Sequence, residues 1–88
     1  MSKKKSTKKP GLYQVILMND NKNTYEHVVE CLMEICGHNY YQAVQCATIT
    51  NNVKQCAVCI DTEDVCRDVC HDLMHEGLTA VVTKKLKK

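Results

Sequence analysis

Apolar side chains recur along this chain at two intervals, and the change from one to the other marks the element boundaries. Residues 12–18, LYQVILM, alternate weakly and include Val15 and Ile16, which predicts a strand. Residues 19–23, NDNKN, carry no apolar side chain and read as a loop. Asn23, followed three positions later by Glu26, has the spacing of a capping box. Beyond it Tyr25, Val28, Val29, Leu32, Ile35 and Cys36 recur at helical spacing until Gly37, a good stop signal. Asn39 is placed to cap a second helix over 40–50, with Tyr40, Ala43, Val44 and Ala47 on one stripe, and Asn51-Asn52 break the pattern. In 53–60 the period falls to two: Cys56, Val58 and Ile60 point one way, Gln55, Ala57 and Cys59 the other. Residues 61–64, DTED, offer a cap and first-turn carboxylates suited to the positive end of a helix. Val65, Cys66, Val69 and Leu73 make the stripe of that third helix, which Gly77 ends, and residues 78–83 form a last short strand.

The predicted order is β-α-α-β-α-β. For 88 residues the economical architecture is α+β: a three-stranded antiparallel sheet covered on one face by three helices around one thin core. The domain is expected over 12–84, with basic tails at 1–11 and 85–88. The longest apolar runs, such as 15–18, are about four residues, far short of the ~20 that span a bilayer. With no stretch resembling a signal peptide, a soluble, monomeric, cytoplasmic protein with no membrane partner is expected.

Charge changes this picture at the ends. Five lysines lie in residues 1–10 and four in 84–88, which leaves Lys22, Lys54 and Arg67 against ten carboxylates in the body. The formal net charge of +2 therefore conceals a body near −7, which attracts cations and repels nucleic acid. The tails suit either solubility or non-specific nucleic-acid contact, and no specific nucleic-acid partner is expected.

Seven cysteines, an odd number without a leader, suit reduced thiols rather than a disulfide framework. Cys56-x-x-Cys59 has half the spacing of a zinc site, and Cys66, Cys70, His71 and His75 are the residues that could complete it. Two strand positions three apart leave opposite faces, and Cys66 and Cys70 flank an apolar helix stripe. Packing as small hydrophobes is therefore the expectation, with no metal or other cofactor. No phosphate loop and no Ser/His/Asp set argues for catalysis.

The loop at 19–23 holds the informative chemistry. It carries one carboxylate and lacks the later Gly and Glu of a calcium loop. Asn and Asp serve turns and caps, which alone suffices to explain them. They also suit an ammonium group: Asp20 offers a carboxylate and Asn19 an amide oxygen at the end of a strand, and such charge-assisted bonds contribute about 1.5–3 kcal/mol each.

These residues resemble a known family. Residues 13–21, YQVILMNDN, are similar to the Y-x-V-[IL]-L-x-N-D-D opening of the ClpS adaptors of ATP-dependent proteolysis. EHVVECL stands where that family has EFVVEVL, YYQAVQCATIT resembles its second helix, and KQCAV its KGVCGV strand. The resemblance covers about residues 13–83. It implies a non-enzymatic adaptor that binds substrates bearing a destabilising, large hydrophobic N-terminal residue and hands them to a Clp-type AAA+ unfoldase. It also implies site residues. Asn19 and Asp20 match the family's α-amino-binding pair, and Asn51 replaces a His that bonds the same amine. Asn21 stands where a second Asp is usual, and Asn23 where a Thr contacts the substrate backbone. Tyr25 and Ala47 occupy two pocket positions that are commonly Met. Val28 and Thr50 match pocket walls, with Ala80 or Val81 near the last wall. Glu63 matches a residue used for unfoldase docking, and Arg67 or Asp68 stands near a second. The alternative is a non-catalytic protein-interaction module on the same fold with a diverged or lost pocket for N-terminal residues.

Overall fold

The computed structural model describes residues 12–20 and 22–85; the expectations for 1–11, Asn21 and 86–88 fall outside them. The elements are β1 (Tyr13–Met18), α1 (Tyr25–Ile35), α2 (Tyr40–Val53), β2 (Gln55–Asp61), α3 (Glu63–His75) and β3 (Thr79–Lys84). All three strands pair antiparallel in the order β2-β1-β3, so the first strand is the central one. Both the order of elements and the architecture agree with the sequence reading.

Val15 and Leu17 of β1 alternate inward and are almost fully buried, as period two requires of a strand covered on one face. On β3 they lie opposite Val82 and Ala80, which share that face. Val29, Cys31 and Leu32 of α1, Ala43 and Ala47 of α2, and Cys66, Val69, Cys70 and Leu73 of α3 close over them. The other face of the sheet carries exposed Ala57, Ile60 and Val81.

Three local expectations are corrected. Thr24, not Asn23, caps α1: its hydroxyl accepts from the His27 amide at 3.1 Å, because the Asn23 side chain is committed elsewhere. Helix α2 runs through Asn51 and Asn52 to Val53. It is Asn39 and Gln42 that form a reciprocal capping box, and the helix stops at Lys54, which adopts a left-handed conformation at φ 86°. Two successive Asn residues lower helix propensity without forbidding the last turn. A non-glycine residue in that conformation costs about 1–2 kcal/mol.

The third correction concerns β2. Val15 pairs with Cys59 and Ile16 with Ala57, so Val58 is an extra residue, a β-bulge. The bulge resets the parity of the strand. Cys56 and Cys59, expected on opposite faces, both lie opposite inward residues of β1, while Ile60, expected to share a face with Cys56 and Val58, is 46% exposed. His38 Nε2 donates to the carbonyl of Val58 at 2.8 Å and so satisfies a backbone group at this irregularity.

All seven cysteines are reduced, with none in a disulfide, and all are at least partly buried. Desolvation, with neighbouring thiols adding to it, pushes Cys36 and Cys56 up to about 12. Because the folded-state values are raised, the stability they confer is complete below the ordinary thiol pKa of about 8.5 and is lost as pH rises towards 12. Iodoacetamide labelling of Cys36 and Cys56 at pH 8 is expected to be roughly 100- to 1,000-fold slower in the native protein than in urea. Mass-spectrometric mapping of the adducts measures this, and equal rates would show these thiols to be reactive.

Candidate functional site

The site begins where β1 ends. Asn19 leaves the central strand, and its backbone N–H donates to the carbonyl of Lys54 at 2.9 Å. The left-handed turn that stops α2 thereby fixes the start of the polar loop. Asp20 then organises the loop. Its Oδ1 accepts from the backbone N–H groups of Lys22 (3.0 Å) and Asn23 (3.2 Å). Its Oδ2 accepts from the Thr79 hydroxyl at 3.2 Å, at the start of β3. The Asn23 side-chain amide bonds both carboxylate oxygens and also donates to the Gly77 carbonyl at 2.9 Å. Gly77 sits at φ 91° in the turn that ends α3, where the Leu78 N–H returns to the Leu73 carbonyl. Loop 19–23 is therefore pinned to both ends of the fold that approach it.

Partial burial raises the Asp20 carboxyl, but the bonds from Asn23, the Lys22 and Asn23 amides and Thr79 together outweigh that and hold it below the usual carboxylate range. Asp20 is therefore ionised at neutral pH, and its anchoring of the loop is present above the ordinary carboxyl pKa and lost as pH falls through its depressed one.

Beside this loop lies a cavity of about 100 Å³ lined by Leu17, Met18, Asn19, Asp20, Asn23, Tyr25, Val28, Ala47, Thr50, Asn51 and Leu78. One rim is polar, from Asn19, Asp20, Asn23 and Asn51; the floor and walls come from Leu17, Val28, Ala47 and Leu78. Tyr25 spans from the first turn of α1 to α2, where its hydroxyl lies 3.0 Å from Thr48 Oγ1 and 3.3 Å from the Val44 carbonyl. Held there and 44% exposed, the ring forms one wall and leaves the hollow open. Thr50 is 5% exposed and spends its hydroxyl on the Cys46 carbonyl at 2.8 Å, so it presents its methyl side as packing surface. Asn51, on the last turn of α2, sits where the negative end of the helix dipole favours a cation, and that turn carries no basic residue.

Of the residues singled out from the sequence, the structure brings Asn19, Asp20, Asn23, Tyr25, Val28, Ala47, Thr50 and Asn51 to one cavity, and Asn21 lies outside the described residues. Val81 is not among the lining residues: it points to the open sheet face opposite Ile16 and is 42% exposed, and Ala80 is buried in the core. Leu78 supplies that wall instead. Leu78, Ala80 and Val82 make an inward alternation that was present in the sequence, and it is the signal that separates Leu78 from Val81. Leu17 and Met18, strand residues by their sequence pattern, also line the cavity. Glu63 and Arg67 lie apart from the cavity on α3 and pair with each other at 2.9 Å on an exposed face.

The fold and the cavity define a small binding domain: the end of a sheet presents a fixed carboxylate and amides beside a hollow of mixed polar and apolar lining. The family model for the ATP-dependent Clp protease adaptor protein ClpS matches residues 8–81, and the chain belongs to that family. It is a family of adaptors rather than catalysts. Among solved structures, the chain is similar to Agrobacterium tumefaciens ClpS2 bound to L-phenylalaninamide, with 19% identity and a TM-score of 0.79, covering 88% of this chain and 100% of that one. A search of curated proteins gave no match. Among the described residues no helix is long and apolar enough to cross a membrane.

Proposed function

We propose that this chain binds polypeptides by their free N-terminus, with the α-ammonium group on the Asn19, Asp20 and Asn51 rim and the first side chain against the apolar side of the cavity. Support comes chiefly from the joining, in one hollow, of a carboxylate kept ionised by its own hydrogen bonds to walls made of Leu17, Val28, Ala47 and Leu78. Among the described residues, Asp20 Oδ2 holds only Thr79 and an Asn23 proton that it shares with Oδ1, so it is the less engaged of the two oxygens and the one the ammonium approaches. The Asn51 amide oxygen accepts a second N–H of the ammonium, and Asn23 borders the substrate backbone. The related ClpS2 holds an amino-acid amide whose side chain is large and apolar, which accords with this reading. As an adaptor the chain then passes such substrates to a Clp-type AAA+ unfoldase, with the exposed Glu63–Arg67 face of α3 as the docking surface.

The hollow, about 100 Å³, is smaller than the ~150 Å³ cavity that admits benzene in a protein core. A first-position Leu is therefore expected to bind more tightly than Trp. A peptide panel differing only in its first residue, read by fluorescence anisotropy, tests this. Acetylation of the α-amine is expected to lower affinity at least about 10-fold, by removing the charge-assisted bonds. Binding is expected to be flat from about pH 5 to 7 and to weaken above about 8, where a peptide α-amine loses its proton. Indifference to both acetylation and first residue would favour the alternative of a general interaction module.

A further inference from the structure

We propose that His27, Cys31 and Glu76 form a binding site for one divalent cation of the zinc class, outside the peptide cavity. His27 and Cys31 stand four apart on the same face of α1, and Glu76 caps the C-terminal end of α3 against them. One donor atom from each lies within 4.8 Å of the other two, and among the described residues this is the one group of three or more potential ligands so placed. The spacing has the right size. Zn–S near 2.3 Å and Zn–N near 2.0–2.1 Å span about 3.6 Å at a tetrahedral angle. Cys31 Sγ lies 3.6 Å from His27 Nε2.

Donor chemistry points the same way. A thiolate, an imidazole and a carboxylate with a fourth position left for water suit zinc or cobalt(II) rather than magnesium or calcium. Cys31 is buried, His27 half-buried and Glu76 exposed, so the site opens towards solvent through the carboxylate, which is free to close the remaining distance. Burial, and then Glu76, Glu34 and Glu30, push the Cys31 thiol up to about 11; the same carboxylates draw a cation towards it. Coordination releases the Sγ proton to buffer. The Nε2–H that now meets the Glu76 carbonyl at 2.9 Å moves to Nδ1, which frees the Nε2 lone pair. In the related motif quoted above, Phe and Val stand at these two positions, so the ligand pair is this chain's own. A bound ion clips α1 to the turn whose next residues, Gly77, Leu78 and Thr79, hold Asn23, wall the cavity and bond Asp20.

The test is titration of the reduced full chain with Co²⁺ and, in competition, Zn²⁺. One equivalent of Co²⁺ is expected to give a thiolate-to-cobalt charge-transfer band and a rise in melting temperature. Cys31→Val and His27→Gln are each expected to weaken binding at least about 100-fold, since loss of a ligand exceeds the 10- to 100-fold cost of losing an outer-shell partner. Cys36→Ser and Cys56→Ser are expected to leave the band intact. His27→Gln changes a half-buried surface position and decides the matter should Cys31→Val fail to fold. A charge-transfer band that survives His27→Gln, or no band at saturating Co²⁺, would overturn the site. Peptide affinity is a separate readout, so failure here leaves the N-terminus reading standing.

Discussion

Asp20→Asn is expected to lower affinity for a peptide with a free N-terminus and a first-position Leu by about 10- to 150-fold, the equivalent of the 1.5–3 kcal/mol of a hydrogen bond to a charged group. The substitution keeps the size and shape of the side chain. An amide oxygen at the Oδ1 position still accepts from the Lys22 and Asn23 amides, so the turn survives. At the Oδ2 position an NH₂ faces the Asn23 amide nitrogen, 3.2 Å away, and Thr79 must turn its hydroxyl to accept. A modest loss of stability is therefore expected beside a large loss of binding. Calorimetric titration gives the affinity and thermal unfolding gives the stability of the same sample. Unchanged affinity in a folded Asp20→Asn protein would reduce Asp20 to an internal brace for loop 19–23 and would sink the ammonium site.

The second large effect belongs to the core. Leu32→Ala is expected to destabilise the domain by about 2–5 kcal/mol through lost transfer energy and the cavity left behind. Leu32 is fully buried in the middle of α1, among Val15, Leu17, Ala43 and Leu73 of the same core. A chain of 88 residues holds roughly 4–13 kcal/mol in all, so the loss is a large share of the total. The melting temperature should fall by at least about 8 °C. A fall equivalent to less than about 1 kcal/mol would mean that α1 is not the keystone of the core. The two substitutions separate cleanly. Leu32→Ala should weaken peptide binding only through the unfolded fraction, whereas Asp20→Asn should weaken it in a fully folded protein.

Much of this protein could be read along the chain because its elements are locally punctuated. Gly37 and Gly77 lie at the helix ends where the apolar period stops, and both adopt the positive φ that marks such stops. Asn39 and Thr62 cap their helices through their own side chains. Where two local signals competed, distance decided. Asn23 had the spacing of a cap, but Asp20 and Gly77, the latter 54 residues away, engage its amide and leave the cap to Thr24. Asn51-Asn52 looked like a helix end, but packing of Ala47 and Thr50 carries α2 one turn further, and that turn is what brings Asn51 to the cavity.

The sequence by itself determined the six elements, their order and the polar loop, because each depends on side chains within a few residues of one another. Only the tertiary structure decided which residues share a hollow. The Val58 bulge, invisible to a period-two reading, turned Cys56 and Cys59 to the same face. The alternation of Leu78, Ala80 and Val82 was legible along the chain, but only the pairing of β3 with β1 set that inward face beside the cavity, with Leu78 as its last wall and Val81 on the open face. His27, Cys31 and Glu76, separated by up to 49 positions, met because α3 ends against the start of α1. Contacts of that span follow from how helices and strands pack, and no local period encodes them.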